Sequence, residues 1–129
     1  HDALPILRVG GFEGRRGAMT LVGIIGGSGI YDIDGLEDRQ WVNAPSSFGE
    51  PSDAVLTGTL FGQPMAFLPR HGRGHKIPPS DVNYRANIDV LKRCGVTDLI
   101  ALSAIGSLRA DMAPGQMVAV DQFIDRDME

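Results

Sequence analysis

Two largely apolar runs, residues 20–25 and 97–104, are each followed by small, flexible residues: Gly26, Gly27, Ser28 and Gly29 after the first, Gly106 and Ser107 after the second. A run without polar alternation suits a strand buried on both faces, and such strands belong to parallel sheets covered by helices. Between the two runs lies PRHGRGHKIPPS, residues 69–80, too rich in Pro, Gly and basic residues to be regular. A helical segment follows it. Ser80 is the expected N-cap, Asp81 sits in the first turn, and Val82, Ala86, Ile88, Val90 and Leu91 recur at near-helical spacing before Lys92, Arg93 and Gly95. Strand, loop, helix and strand in that order make a crossover unit of an α/β fold.

The remaining elements fit the same class. Residues 54–60 and 64–68 read as two strands of a hairpin joined through Phe61, Gly62 and Gln63, with Pro64 tolerated at a strand start. Residues 31–42 show no clear period and are expected to be irregular, with at most one helical turn. Ala113, Pro114 and Gly115 form a turn before a short strand at 117–120.

The chain has 129 residues, 43% hydrophobic and 22% charged, enough to bury a core. Its formal charge of −4 argues against electrostatic capture of nucleic acid or of an anionic membrane. Cys94 is the only cysteine, so an internal disulfide and any multi-cysteine metal site are excluded and a reducing, cytoplasmic setting is expected. No apolar run is long enough to span a bilayer. Residues 1–18 have neither the charged start nor the apolar middle of a secretory signal and are expected to be a non-native or disordered leader. Met19 is then the expected start, and 19–129 the truncated amino-terminal part of one domain, inactive by itself.

In an open α/β sheet the ligand lies at the carboxyl ends of the strands. Three loops qualify: residues 26–29, 70–75 and 103–107. Together they carry the Ser28 and Ser103 hydroxyls, the Arg70 guanidinium, the His71 imidazole and several N–H groups of small residues, a set of donors suited to phosphate oxygens. Plainer readings stand beside this one. A glycine-rich turn with one serine is most often only a tight turn, and 26–31 lacks both the dinucleotide glycine spacing and the Walker lysine. His71 and His75 lack nearby carboxylates and a fixed geometry, so no metal is expected. Arg73, His75 and Lys76 read as surface or loop-ordering residues, and Asn83, Tyr84 and Asn87 as helix positions that cap or brace the loop. Asp32, Asp34, Glu37 and Asp38 read as a solvated run, Trp41 as packing.

Taken together, GIIGGSGIYD, SFGEPSDA, PRHGRGHKIPPSDVNYRANI, SAIGSLR and DQFIDR resemble the amino-terminal half of the 5′-methylthioadenosine phosphorylases, within the purine nucleoside phosphorylase superfamily. The resemblance runs from about Leu21 to the last residues, with RHGR, NYRANI and GSLR in order and at the right spacing. It implies a mixed central sheet flanked by helices. It also implies that phosphate is held by Ser28, Arg70, His71, Ser103 and Ala104, with Gly27, Gly29, Asn83 and Asn87 in support. Phosphate would then attack C1′ of a purine nucleoside through a ribosyl-cation-like transition state, with no cofactor, in a cytoplasmic homotrimer. The aspartate that protonates the departing purine lies, in this family, in the carboxyl-terminal half, beyond Glu129. The alternatives are a 6-oxopurine nucleoside or methylthioinosine phosphorylase, distinguished only by downstream residues; a hydrolytic nucleosidase, which would not need the Arg70–His71 pair; and a non-catalytic anion-binding module.

Overall fold

A computed structural model describes residues 4–11, 20–27, 29–104 and 106–122. The strands are β1 (Leu4–Gly11), β2 (Val22–Gly26), β3 (Leu36–Val42), β4 (Val55–Leu60), β5 (Gln63–Pro69), β6 (Asp98–Leu102) and β7 (Met117–Ala119), with one helix, α1 (Tyr84–Arg93). They form a single sheet in the order β3-β4-β5-β2-β6-β1-β7. Its centre is parallel: β2 lies between β5 and β6 and runs with both, Gly26 level with Pro69 and Ile25 with Ala101. The β5-α1-β6 segment is therefore the crossover expected from the sequence, passing over β2.

The apolar runs explain the centre. Met65, Ala66, Phe67, Leu68 and Pro69 of β5 are all buried, as a strand covered on both faces requires. Ala66 and Leu68 meet Val90 and Leu91 of α1 together with Ile25, Val55, Val96 and Leu99. Met65 and Phe67 point to the opposite face, against Leu36 and Leu56, with Ile30, Ile33 and Trp41 around them. The β4–β5 hairpin closes through Phe61 (φ 49°) and Gly62 (φ 79°), two left-handed residues in a row, as a tight primed turn demands.

Three expectations are corrected. Residues 36–42, read as irregular, are strand β3, paired antiparallel with β4. As the edge of the sheet it keeps Glu37, Asp38, Arg39 and Gln40 exposed, and a bulge between Glu37 and Gln40, with Asp38 at φ 54°, breaks the alternation that would reveal it. Helix α1 starts at Tyr84 rather than after Ser80. Pro79–Asp81 forms a single 3₁₀ turn, and Asn83 is the N-cap, its side chain accepting from the Ala86 N–H at 3.0 Å. Part of the leader, Leu4–Gly11, is a strand, paired antiparallel with β6 and parallel with β7. The open edge of β6 offers unpaired ladder groups that an extended segment satisfies. Residues 1–3 and 12–19 lie outside the described part.

The end of α1 matches its signals. Gly95 (φ 98°) follows the last turn, its N–H bonds the Lys92 carbonyl at 3.0 Å, and the Val96 N–H bonds that of Leu91 at 3.1 Å. Replacing Gly95 by alanine is expected to cost about 1–2 kcal/mol, since an added Cβ meets nothing closer than Leu21 Cδ2 at 3.7 Å and the penalty comes from the left-handed backbone alone. A lowered unfolding midpoint in the Gly95→Ala protein checks this.

Candidate phosphate site

The parallel register brings the carboxyl ends of β2, β5 and β6 side by side, so the loops leaving them meet. Arg70 joins all three. Its backbone N–H donates to the Gly26 carbonyl at 2.8 Å, and its guanidinium Nη2 donates to the Leu102 carbonyl at 2.5 Å. The side chain is half-buried. Burial pulls its pKa below the ordinary arginine value, with the Tyr84 phenol opposing, and arginine still stays cationic. No carboxylate pairs with it among the described residues. A partly desolvated cation of this kind favours an anion.

The loop that follows is folded on itself. Gly72 N–H bonds the Pro69 carbonyl, His75 N–H bonds the Gly72 carbonyl, and the Lys76 and Ile77 N–H groups both bond the His71 carbonyl at 3.0 Å. The His71 ring takes part too: Nδ1 lies 2.8 Å from the Ile77 carbonyl oxygen. A carbonyl can only accept, so Nδ1 carries the hydrogen and Nε2 is the ring atom left for another partner. The His71 and His75 rings are in contact, centroids 4.5 Å apart and planes tilted by 39°.

A cavity of about 770 Å³ opens at this point, lined by Gly27, Gly29, Ile30 and Ile33 from the first loop, Arg70, His71 and His75 from the second, and Leu102, Ser103 and Ala104 from the third. Of the residues singled out in the sequence, Gly27, Gly29, Arg70, His71, Ser103 and Ala104 thus share one wall. Ser28 lies outside the described residues. A Cβ added at Gly27 or Gly29 would meet no atom within 4 Å, so packing does not demand glycine there and bare backbone faces the open space. Asn83 and Asn87 are not in the wall. Asn83 donates from Nδ2 to the Phe48 carbonyl at 2.9 Å, and the fully buried Asn87 accepts from Ser52 N–H at 2.8 Å and donates to Ser52 Oγ at 3.0 Å. Both hold the 48–52 segment from the helix. The sequence does not mark Ile30, Ile33 or Leu102, and His75, which reads there as a surface or loop-ordering residue, stands in the wall. The only signal of the three unmarked residues is that they lie close to glycine and serine positions that are marked. Among the described residues no three His, Cys, Asp or Glu side chains gather as a metal-binding group, and no helix is long and apolar enough to cross a membrane.

A family profile described as the Phosphorylase superfamily matches residues 21–129. The chain belongs to the Phosphorylase superfamily. Within this superfamily it is 64% identical, over 107 residues, to the S-methyl-5′-thioadenosine phosphorylase of Cereibacter sphaeroides, a match covering 83% of this chain and 37% of that protein. It is 63% identical over 106 residues to the enzyme of the same name from Rhodospirillum rubrum, covering 82% and 36%. A methylthioadenosine phosphorylase from an Antarctic soil metagenomic library superposes with a TM-score of 0.57 at 47% identity, over 60% of this chain and 27% of that one. The Schistosoma mansoni methylthioadenosine phosphorylase in complex with tubercidin superposes at 0.56 and 45% identity, over 62% and 29%. The resemblance drawn from the motifs and the mixed-sheet phosphorylase fold are both found. The chain spans little more than a third of the curated relatives it matches, and strand β1 lies outside the segment the superfamily profile covers.

Proposed function

We propose that this chain is the phosphate-holding part of a 5′-methylthioadenosine phosphorylase, which converts methylthioadenosine and inorganic phosphate to adenine and 5-methylthioribose 1-phosphate. The observation that carries the reading is Arg70: a half-buried cation without a carboxylate partner among the described residues, fixed between three strand ends on the wall of a cavity. The names of the relatives support methylthioadenosine over a 6-oxopurine nucleoside.

The chemistry asks the protein to orient an anionic nucleophile rather than neutralise it fully. A phosphate oxygen forms a bond to C1′ as the bond from C1′ to the purine nitrogen breaks, and the electron pair leaves with the base. Arg70 supplies charge-assisted donors. His71 directs Nε2 because Nδ1 is committed to Ile77; that atom accepts from the phosphate's own P–OH when the ring carries one hydrogen and donates to a phosphate oxygen when it carries both. The Ser28 and Ser103 hydroxyls with the Gly27, Gly29 and Ala104 amides complete the cradle. Protonation of the departing adenine is assigned to an aspartate outside this chain. No cofactor is needed, since phosphate is a co-substrate. A cytoplasmic homotrimer is part of the same proposal.

Product identity tests the reading on the full-length enzyme that carries this segment. Incubated with methylthioadenosine and phosphate, it is expected to yield a sugar phosphate with a new phosphorus resonance. Free methylthioribose as the sole sugar product would favour the nucleosidase instead.

A further inference from the structure

The SFGEPSDA motif contributes nothing to the cavity wall, yet it touches the loop that does. Asp53 accepts three hydrogen bonds from one residue of that loop: from the Arg73 backbone N–H at 2.8 Å and Nε at 3.0 Å on Oδ2, and from Nη2 at 2.9 Å on Oδ1. The guanidinium is thus gripped by both carboxylate oxygens while lying over the Trp41 ring, 3.9 Å from its centroid. Trp41 in turn meets Tyr31, which follows Ile30 of the first loop, edge-on at 6.0 Å. On the other side, Asn87 of α1 fixes Ser52 with two hydrogen bonds, and an atom added at Gly72 would stand 3.0 Å from the Ser52 carbonyl oxygen. Burial alone would push the Asp53 carboxyl up; the hydrogen bonds from Arg73 and Ala54, with the guanidinium charge, outweigh it and hold the carboxyl below its usual range.

We propose that Asp53, acting through Arg73, is a positioning residue that sets the Arg70–His71 loop for phosphate. It touches no reacting atom. Resting on the phosphorylase reading above, the bracket joins helix α1, the 51–54 segment and edge strand β3 to the outer side of a loop that Arg70 ties to the ends of β2 and β6, and it places Arg70 and His71 three and two residues before the residue that is gripped. A single exposed ion pair would do little. Here one side chain carries a forked pair, a backbone bond and a ring contact together, so its loss lets the loop shift by fractions of an ångström, which is enough to disorient a nucleophile.

The test uses the full-length enzyme and four variants, Arg73→Ala, Asp53→Ala, the two combined, and Arg73→Lys. Each single alanine change is expected to raise the KM for phosphate by about three- to thirtyfold, leave the KM for the nucleoside unchanged, and speed amide exchange at 70–77 in the absence of substrate. The double variant should be no worse than the worse single, because both remove one device. Lysine should fail to restore phosphate use, having no fork for the two oxygens and no flat face for Trp41. Multiplying effects in the double variant, or a parent-like phosphate KM in all four, would overturn the proposal. Should Asp53→Ala unfold the protein, Asp53→Asn keeps an oxygen for the Arg73 amide and is expected to show a smaller rise in the same constant; no rise would count against the bracket. If the parent consumes no phosphate, the phosphorylase reading fails on its own, and the exchange rates at 70–77 still decide whether Asp53 and Arg73 hold the loop.

Discussion

In the full-length enzyme, Arg70→Ala is expected to lower the rate over phosphate by about 30- to 1,000-fold, or roughly 2–4 kcal/mol of transition-state stabilisation. The size follows from where the guanidinium sits. It is half-buried, donates to the Leu102 carbonyl at 2.5 Å and has its own N–H on Gly26, so its direction is fixed before any anion arrives. Its removal takes charge-assisted bonds from the nucleophile and also leaves the Leu102 carbonyl without that donor. Arg70→Lys should recover only part, since a point charge cannot serve Leu102 and two phosphate oxygens in one plane. Arg93→Ala is the control. That side chain is exposed at the end of α1, paired with Asp89 at 3.0 Å one turn earlier, and its loss should leave phosphate use unchanged. Initial rates against phosphate concentration separate these cases, and a parent-like curve for Arg70→Ala would remove the second loop from the site.

Much of this arrangement is legible in the residues. β5 is visible because burial on both faces leaves a continuous apolar run, the other central strands because they are largely apolar between turn residues, and the end of α1 because Gly95 is the residue its left-handed position needs. The three loops follow from chain order, since parallel strands deliver their ends to one side. What escapes is set by tertiary contact. Strand β3 is stabilised by pairing with β4 and not by its own pattern, which the bulge at Asp38 interrupts. Ser80 has the chemistry of a cap, but two prolines before it impose a 3₁₀ turn and pass the role to Asn83. Residues 4–11 carry no period to announce them and gain their partners from the edge of β6. The grip of Asp53 on Arg73 spans twenty residues in sequence and has no local signal at all.

Phe67→Ala is expected to be the most destabilising simple truncation, at about 3–5 kcal/mol. Phe67 is fully buried in the middle of β5, level with Leu56 on one side and Ile24 on the other. Its ring fills the face opposite α1 between Leu36, Leu56 and Met65, where backbone pairing on both sides of β5 prevents collapse into the space left. Phe61, 90% exposed in the hairpin turn, offers the comparison: Phe61→Ala should change stability by no more than about 0.5 kcal/mol. Urea unfolding of both variants with unchanged slope checks the difference. Equal losses would mean that the sheet faces are wrongly assigned.

In the proposed function, the loops after β2, β5 and β6 form a phosphate site serving cleavage of a nucleoside. The direct measurement is the initial rate of adenine release from methylthioadenosine by the full-length enzyme as phosphate is raised from none to saturation. Negligible release without phosphate and a saturable rise as it is added are expected, with one sugar phosphate formed per adenine. Release that proceeds equally fast with phosphate removed would contradict that function.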